Sequence, residues 1–157
     1  MTRLPVAVEI QQAVAADAAP VAAHLRAADL AECLAAGVED IERAIVEGVE
    51  NSPMCWTAWV DDRPAAVFGV RPWGAVGVPW MLGTDDVIAQ RRAFIKLAPA
   101  YIATMMQAYP RLMNHVHTDN VQAVRWLRRA GFALQSPHAH PATGAPFQVF
   151  EMEAVNV

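Results

Sequence analysis

Apolar and polar positions along the chain change period in a way that separates strands from helices. Val6, Val8 and Ile10 alternate with Ala7 and Glu9, the two-residue period of a half-buried strand over Val6 to Gln11. Asp17-Ala18-Ala19-Pro20 then reads as a helix start, with Asp17 as cap and Pro20 in the first turn, and Val21, Leu25, Ala28 and Leu30 form its apolar stripe. Gly37 closes that helix. Val38, Ile41, Ile45 and Val49 recur at spacings of three and four, which predicts a second helix over Val38 to Val49 with Glu39, Asp40 and Glu42 at its positive end.

Asn51-Ser52-Pro53 is a turn, after which Met54 to Val60 and Ala65 to Val70 read as two strands joined through Asp61-Asp62-Arg63-Pro64 into a hairpin. A third strand spans Val76 to Leu82, and Gly74, Gly77 and Pro79 predict a bulge or a sheet edge there, because neither residue type sustains a central ladder. From Val87 to Tyr109 the pattern is helical. Pro99 lies in its middle at a cost of roughly 3 kcal/mol, so a kink or two shorter helices meeting near Ala98 are expected. Leu112 to His117 alternates as a strand. The next helix has both ends written down: Asn120 as its cap, Gly131 as its stop, and Arg125, Arg128 and Arg129 in the last turn, where the helix dipole favours cations. Phe132-Ala133-Leu134 and Phe147 to Met152 are the last strands, with a proline-rich loop from Ser136 to Pro146 between them. The order is an α/β (α+β) one, and at 157 residues the chain suits a single domain over 1–157 that needs no disulfide or metal staple.

A net charge of −4 gives no broad electrostatic footprint for nucleic acid, although the Arg125, Arg128 and Arg129 cluster can touch an acidic partner locally. Cys33 and Cys55 stand alone in apolar contexts, so they read as buried reduced thiols and fit synthesis in a cytoplasm. Met1 to Ile10 lacks the charged start and apolar core of a signal peptide, and no run approaches the ~18 apolar residues needed to cross a bilayer. A soluble, non-secreted chain is expected.

Asn120, Ala123, Trp126, Gly131 and Phe132 fall on a pattern that resembles the GNAT acyltransferases, whose corresponding helix reads approximately Asn-x-x-Ala-x-x-(aromatic or aliphatic)-Tyr-x-x-x-Gly-Phe. The opening strand with Ala-x-Asp and a helix, and the hairpin followed by Pro-Ala-(apolar)-x-Gly, resemble the same family. The resemblance implies a GNAT-like fold over the whole chain, a mixed, mostly antiparallel central sheet of about six to seven strands flanked by about four helices. It also implies an acetyl-CoA site at the turn after the fourth strand, where a loop resembling (Gln or Arg)-x-x-Gly-x-(Gly or Ala) turns its backbone N–H groups to a pyrophosphate. The corresponding residues here are Gln90-Arg91-Arg92-Ala93-Phe94-Ile95. Ala93 and Ile95 stand where glycines are wanted, Asp85 and Asp86 upstream are expected to repel a polyanion, and Leu127 occupies the place of the family's general-acid tyrosine. A degenerate site without a cofactor is therefore expected. In the alternative, acetyl-CoA lies in the V-shaped opening between the fourth and fifth strands, touching Met81, Leu82, Gln90, Arg91, Arg92, Ala93, Ile95 and Asn120.

Candidate chemistry is sparse, and each candidate has two readings. His115 and His117 share one face of a strand, either as bases for an amine or as polar-face histidines near a splay in the sheet. Asp119 and Glu32 can act as bases through water, or be ordinary surface carboxylates. His138 and His140 are metal ligands only if two more ligands converge, so no metal is expected. Trp56 and Phe68 read as core, while Trp73 and Trp80, beside Gly and Pro, line a pocket or a protein contact.

A narrower combination, Cys55-Trp56-Thr57-Ala58, Pro79-Trp80-Met81-Leu82-Gly83-Thr84-Asp85, Tyr109-Pro110-Arg111-Leu112 and Pro146-Phe147-x-x-Phe150-Glu151-Met152, is similar to the small acetyltransferase-like proteins of tailed bacteriophages. That resemblance implies a virion-associated structural or assembly protein of short-tailed phages, placed in the virion or the host-cell cytoplasm. Its partners would be other phage virion or assembly proteins or a second copy of the chain, with no membrane and no direct nucleic-acid binding. The alternatives are an active GNAT N-acyltransferase that acetylates an amine, and a host-directed effector binding through the Arg125/Arg129 helix and the Pro137 to Pro146 loop.

Overall fold

The structure, a computed structural model, describes residues 6–155; the amino-terminal reading of Met1 to Pro5 lies outside them. In chain order the elements are β1 (Val8–Gln12), a 3-10 turn, α1 (Ala18–Ala23), α2 (Ala27–Ala35), α3 (Ile41–Asn51), β2 (Met54–Val60), β3 (Arg63–Trp73), β4 (Val76–Gly83) and α4 (Asp86–Ala89). After them come α5 (Arg91–Ala108), β5 (Arg111–His117), α6 (Val121–Ala130), β6 (Ala133–Leu134), β7 (His138–Ala139) and β8 (Pro146–Glu153). One mixed sheet runs in the order β1-β2-β3-β4-β5-β8-β6, with β7 also on β8. Every pairing is antiparallel except β4 with β5. Val21, Ile45, Cys55 and Val67 pack α1 and α3 on one face. Val70, Met105, Leu112, Leu127, Phe132 and Phe150 pack α5 and α6 on the other. The α/β (α+β) class is as expected.

Local chemistry fixed several elements as read. Asp61 and Asp62 both take positive φ, 49° and 62°, the paired left-handed conformation of a tight hairpin turn that Asp tolerates. Gly131 ends α6 at φ 105°, and Arg128 and Arg129 sit in its last turn. Asp40 caps α3 by accepting the Arg43 N–H at 3.0 Å, so the helix begins at Ile41 rather than Val38.

Other elements depart from the pattern, each for a tertiary reason. The expected first helix is two, because Leu25 bridges to Thr84 and the Arg26 N–H donates to the Gly83 carbonyl at 2.9 Å. Asp17 is no simple cap: its buried carboxylate accepts the Val14 N–H at 3.1 Å and the Thr57 hydroxyl at 2.7 Å. The break in the long helix falls at Gln90, and α5 runs through Pro99, which is exposed. The Ser136 to Pro146 loop contains β7, and counting such two-residue strands and the divided helices gives eight strands and six α-helices among the described residues. The described residues include no helix long and apolar enough to cross a membrane.

β4, where a bulge or a sheet edge was expected, is interior, between β3 and β5, and keeps an unshifted register with β3. Pro79 is tolerated because β4 and β5 share a single parallel pair, Gly77 with Leu112. The Pro79 carbonyl accepts the Asn114 amide at 2.7 Å, so that edge of Pro79 faces β5 across the opening. The N–H that proline lacks would point the same way, where no ladder exists to receive it. Gly77 forms the apex: a Cβ there would stand 2.7 Å from the Tyr109 ring and 2.9 Å from Leu112.

Gly48 of α3 gives a test of how tightly the helix is set against β4. A Cβ on it would lie 2.7 Å from the Trp80 ring, and that ring is held by its own N–H donating to the Ser52 hydroxyl at 2.9 Å. Ala normally stabilises a helix interior relative to Gly, but here the overlap dominates. Gly48→Ala is expected to destabilise by about 1–3 kcal/mol in urea unfolding, and an increase in stability would show that the indole moves freely.

Candidate functional site

Beyond Gly77 and Leu112 the two strands part, and the opening between them leads into a cleft of about 1090 Å³. Its walls come from α2, β4, the start of α5, β5, α6 and the turn around β7. The turn is tied down by the Thr143 hydroxyl donating to the Ala35 carbonyl at the end of α2.

The charged face of α2 supplies the chemistry. Arg26, Asp29 and Glu32 recur every third residue, so they project on one side of the helix. That side is turned inward: Arg26 is 7 % and Asp29 6 % exposed, while Leu30 and Leu34 are 40 % and 55 % exposed. The Arg26 guanidinium donates to Asp29 at 2.9 Å, to the Asn120 carbonyl oxygen at 3.1 Å and to Gln122 at 2.6 Å. Asp29 also accepts the Gly83 N–H at 3.0 Å. One lattice thus joins α2, the end of β4 and the start of α6. Asn120, expected as the cap of α6, makes no side-chain cap bond and is 2 % exposed, its amide drawn into this lattice by the buried polar groups of Arg26 and Asp29, which need hydrogen-bond partners.

Glu32 is not the surface carboxylate that one reading made it. It lines the cleft and accepts the His117 N–H at 2.6 Å. Burial pushes its carboxyl up to about 7, with the His117 bond pulling the other way, Asp29 adding to the rise, and Asn120 and Arg26 opposing it. A carboxyl so placed exchanges a proton near neutral pH.

His115 lines the cleft, and its ring stands edge-on to His138 at 5.0 Å. Burial first, then His138 and His140, holds it below the usual histidine range. His117 and Asp119 are not on the cleft wall; the His117 ring packs on Phe147, and its Nε2 lies 4.0 Å from the exposed Asp119. His140 also packs on Phe147. Among the described residues no group of three or more His, Cys, Asp or Glu is arranged to hold a metal ion. Cys33 and Cys55 are buried and free, and burial above all pushes each thiol up to about 11, so neither is an activated nucleophile.

Of the residues tied to a cofactor by resemblance, Met81, Leu82, Arg91, Ile95 and Asn120 line the cleft, and Gln90, Arg92 and Ala93 do not. Asp85 and Asp86 are off the wall too, and Asp86 faces Arg63 at 3.3 Å, so the expected repulsion of a polyanion is weakened. Arg71, Arg91, Arg125 and Arg129 all reach the cleft, and none is in an ion pair with a described residue. Arg26, Asp29 and Gln122 were missed by sequence reasoning. The available signal was three charges at a spacing of three in an otherwise alanine- and leucine-rich helix.

No protein-family model matches the sequence, and no curated protein does. Solved structures match it closely in shape. Ard1 from Thermoplasma volcanium superposes with a TM-score of 0.71 at 13% identity, over 96% of this chain and all (100%) of its own. A GNAT-family acetyltransferase from Bacillus anthracis gives 0.67 at 10% identity, over 93% and 94% of the two chains. An agmatine N-acetyltransferase gives 0.66 at 13%, over 93% and 99%. Shared chain path at such low identity, together with the splayed β4 and β5, shows that this chain has the GNAT acetyltransferase fold.

Proposed function

We propose that the chain is an N-acyltransferase that moves an acyl group from a coenzyme A thioester to an amine. The observation that carries this reading is Glu32, a carboxyl with its pKa near 7 on the wall of the cleft at the open end of the β4–β5 splay. An amine arriving as an ammonium ion must lose a proton before it can attack, and a base matched to neutral pH takes it at least cost. Asp29 is already paired with Arg26, so on the α2 wall it is the ionised form of Glu32 that meets the ammonium ion. Leu127 has no proton to give, so proton traffic rests on Glu32, with His115 as the second group on the wall.

The residues present fit a coenzyme A thioester. Four guanidinium groups, Arg71, Arg91, Arg125 and Arg129, suit its phosphates, and the apolar strand from Val78 to Leu82 suits the arm that carries the acyl group. When bound, the thioester supplies an activated acyl carbonyl. The start of α5 lacks a glycine loop, so this reading assigns the phosphates to arginine side chains rather than to backbone N–H groups.

Thermal melting with and without acetyl-CoA tests the proposal. At a hundredfold excess over its dissociation constant a ligand of the folded state adds about 2.7 kcal/mol, which for a chain of this size raises Tm by roughly 5 to 11 °C. An unchanged Tm with acetyl-CoA, with free coenzyme A and with longer acyl thioesters, each at millimolar concentration, would sink the reading.

A second reading, the virion structural or assembly role implied by the phage resemblance, is favoured by one feature. Trp73 is 65 % exposed at the tip of the β3–β4 hairpin, beside Gly74, and a bare indole suits a protein contact. Stoichiometric copies in purified particles would support that role, and absence from them would count strongly against it.

A further inference from the structure

A second cavity, of about 120 Å³, lies on the α5 and α6 side of β4. Its wall includes Pro79, Phe94, Leu97, Ile102, Met105 and Leu127, and carries no charged residue. Pro79, Met81, Phe94 and Leu127 belong to the walls of both spaces, so the cavity is a side chamber of the cleft at the splay. Protein interiors are packed closely enough that a void of this size forfeits many contacts, and this one persists beside the place where β4 and β5 part.

We infer that this chamber holds the hydrocarbon tail of the transferred acyl group, so that linear chains of roughly four to six carbons are taken in preference to acetyl. The inference rests on the transferase reading and deepens it. Three observations point to the acyl side rather than the acceptor side. The chamber wall carries no charged residue, whereas an amine is met by Glu32 on the α2 wall. It adjoins β4 at Pro79 and Met81, beside the opening through which a thioester would reach the amine. Leu127, where the resembling pattern has a tyrosine, presents a hydrocarbon surface that a phenol would have made polar. On size, an apolar cavity of roughly 150 Å³ stays dry and takes benzene, six carbons, so a somewhat smaller one suits about five. The chemistry balances without a further reactant: the ammonium ion gives one proton to Glu32, which passes it to water, then the C–N bond forms, the thioester C–S bond breaks, and the second proton shed by the nitrogen ends on the departing thiol.

The test is isothermal titration of the full chain with coenzyme A and its acetyl, butyryl, hexanoyl and dodecanoyl thioesters. Each methylene entering the chamber is expected to tighten binding about fourfold, the burial of one CH₂. The gain should stop once the chamber is full, leaving dodecanoyl no tighter than hexanoyl. Ala98 lies on the chamber wall, and Ala98→Phe is expected to cut the hexanoyl-to-acetyl affinity ratio at least fivefold; Ala98→Leu serves the same purpose if the larger residue prevents folding. Acetyl and hexanoyl thioesters binding equally well would overturn the chamber and leave the transferase reading standing. A gain that continues through dodecanoyl would also overturn it, as general greasiness. If neither coenzyme A nor any thioester binds, the transferase reading fails and the chamber with it.

Discussion

Glu32→Gln is expected to lower kcat/KM for acyl transfer to an amine by about 10²–10⁴-fold while leaving the chain folded. The amide keeps an oxygen to accept the His117 N–H, seen at 2.6 Å in the native chain, so the local geometry survives while the proton acceptor is lost. Activity of the native chain should rise through pH 7 and level off above it, because burial puts the Glu32 carboxyl at about 7 and only the ionised form is a base. In the variant that limb disappears. Stability runs the other way. The folded-state pKa lies above the ordinary value of 4.5, so this group's contribution is fully present below about pH 4.5 and is lost as pH rises through 7. Glutamine does not ionise and is spared that loss, so the variant should melt higher than the native chain at pH 8. Initial rates across pH 5–9, with thiol release as the readout, and melts at the ends of that range check both signs. Undiminished transfer by the variant would remove Glu32 from the chemistry.

What could be read in the sequence was whatever local chemistry decides. The β2–β3 hairpin follows from Asp61 and Asp62, which accept positive φ between two apolar runs. The end of α6 follows from Gly131 and the two arginines before it. Failures cluster where the fold builds its cleft. Apolar periodicity put Leu30 of the first helix inside, yet Arg26, Asp29 and Glu32 turn inward and Leu30 and Leu34 face water. A helix that walls a polar cleft inverts its amphipathic pattern, and periodicity alone cannot distinguish the two faces once both are partly apolar. Pro79 misled in a related way. The rule that proline marks an edge assumes a partner strand on both sides, and the splay removes that partner from an interior strand. Asn120 was legible as a helix start, and its role was not: its side chain serves Arg26 and Asp29, residues more than ninety positions away that the fold alone brings to it. His115 reached the cleft and His117 did not. Strand alternation puts both on one face, and packing of the His117 ring against Phe147 separates their uses.

Arg26→Met should be the most damaging single change to stability. The guanidinium is almost fully enclosed with Asp29, each side chain 8% exposed, and it also donates to Asn120 and Gln122. A methionine fills much of the volume and donates nothing. Asp29 would keep the Gly83 N–H but lose its counter-charge, and breaking a buried pair from one side costs about 3–5 kcal/mol. For a chain of this size that lowers Tm by roughly 6 to 20 °C. Arg26→Met combined with Asp29→Asn removes the stranded charge and keeps an acceptor for Gly83, so the double variant should recover about half of the loss, about 1–3 kcal/mol, and the coupling in the cycle is that recovery plus the cost of Asp29→Asn alone. A second readout separates this lattice from mere packing. The Arg26 charge favours the ionised form of Glu32, so its loss should move the rising limb of activity above pH 7 in any variant folded enough to assay. A cost below 1 kcal/mol, or a limb that stays in place, would mean that the lattice neither holds α2 to β4 and α6 nor sets the proton affinity of the cleft.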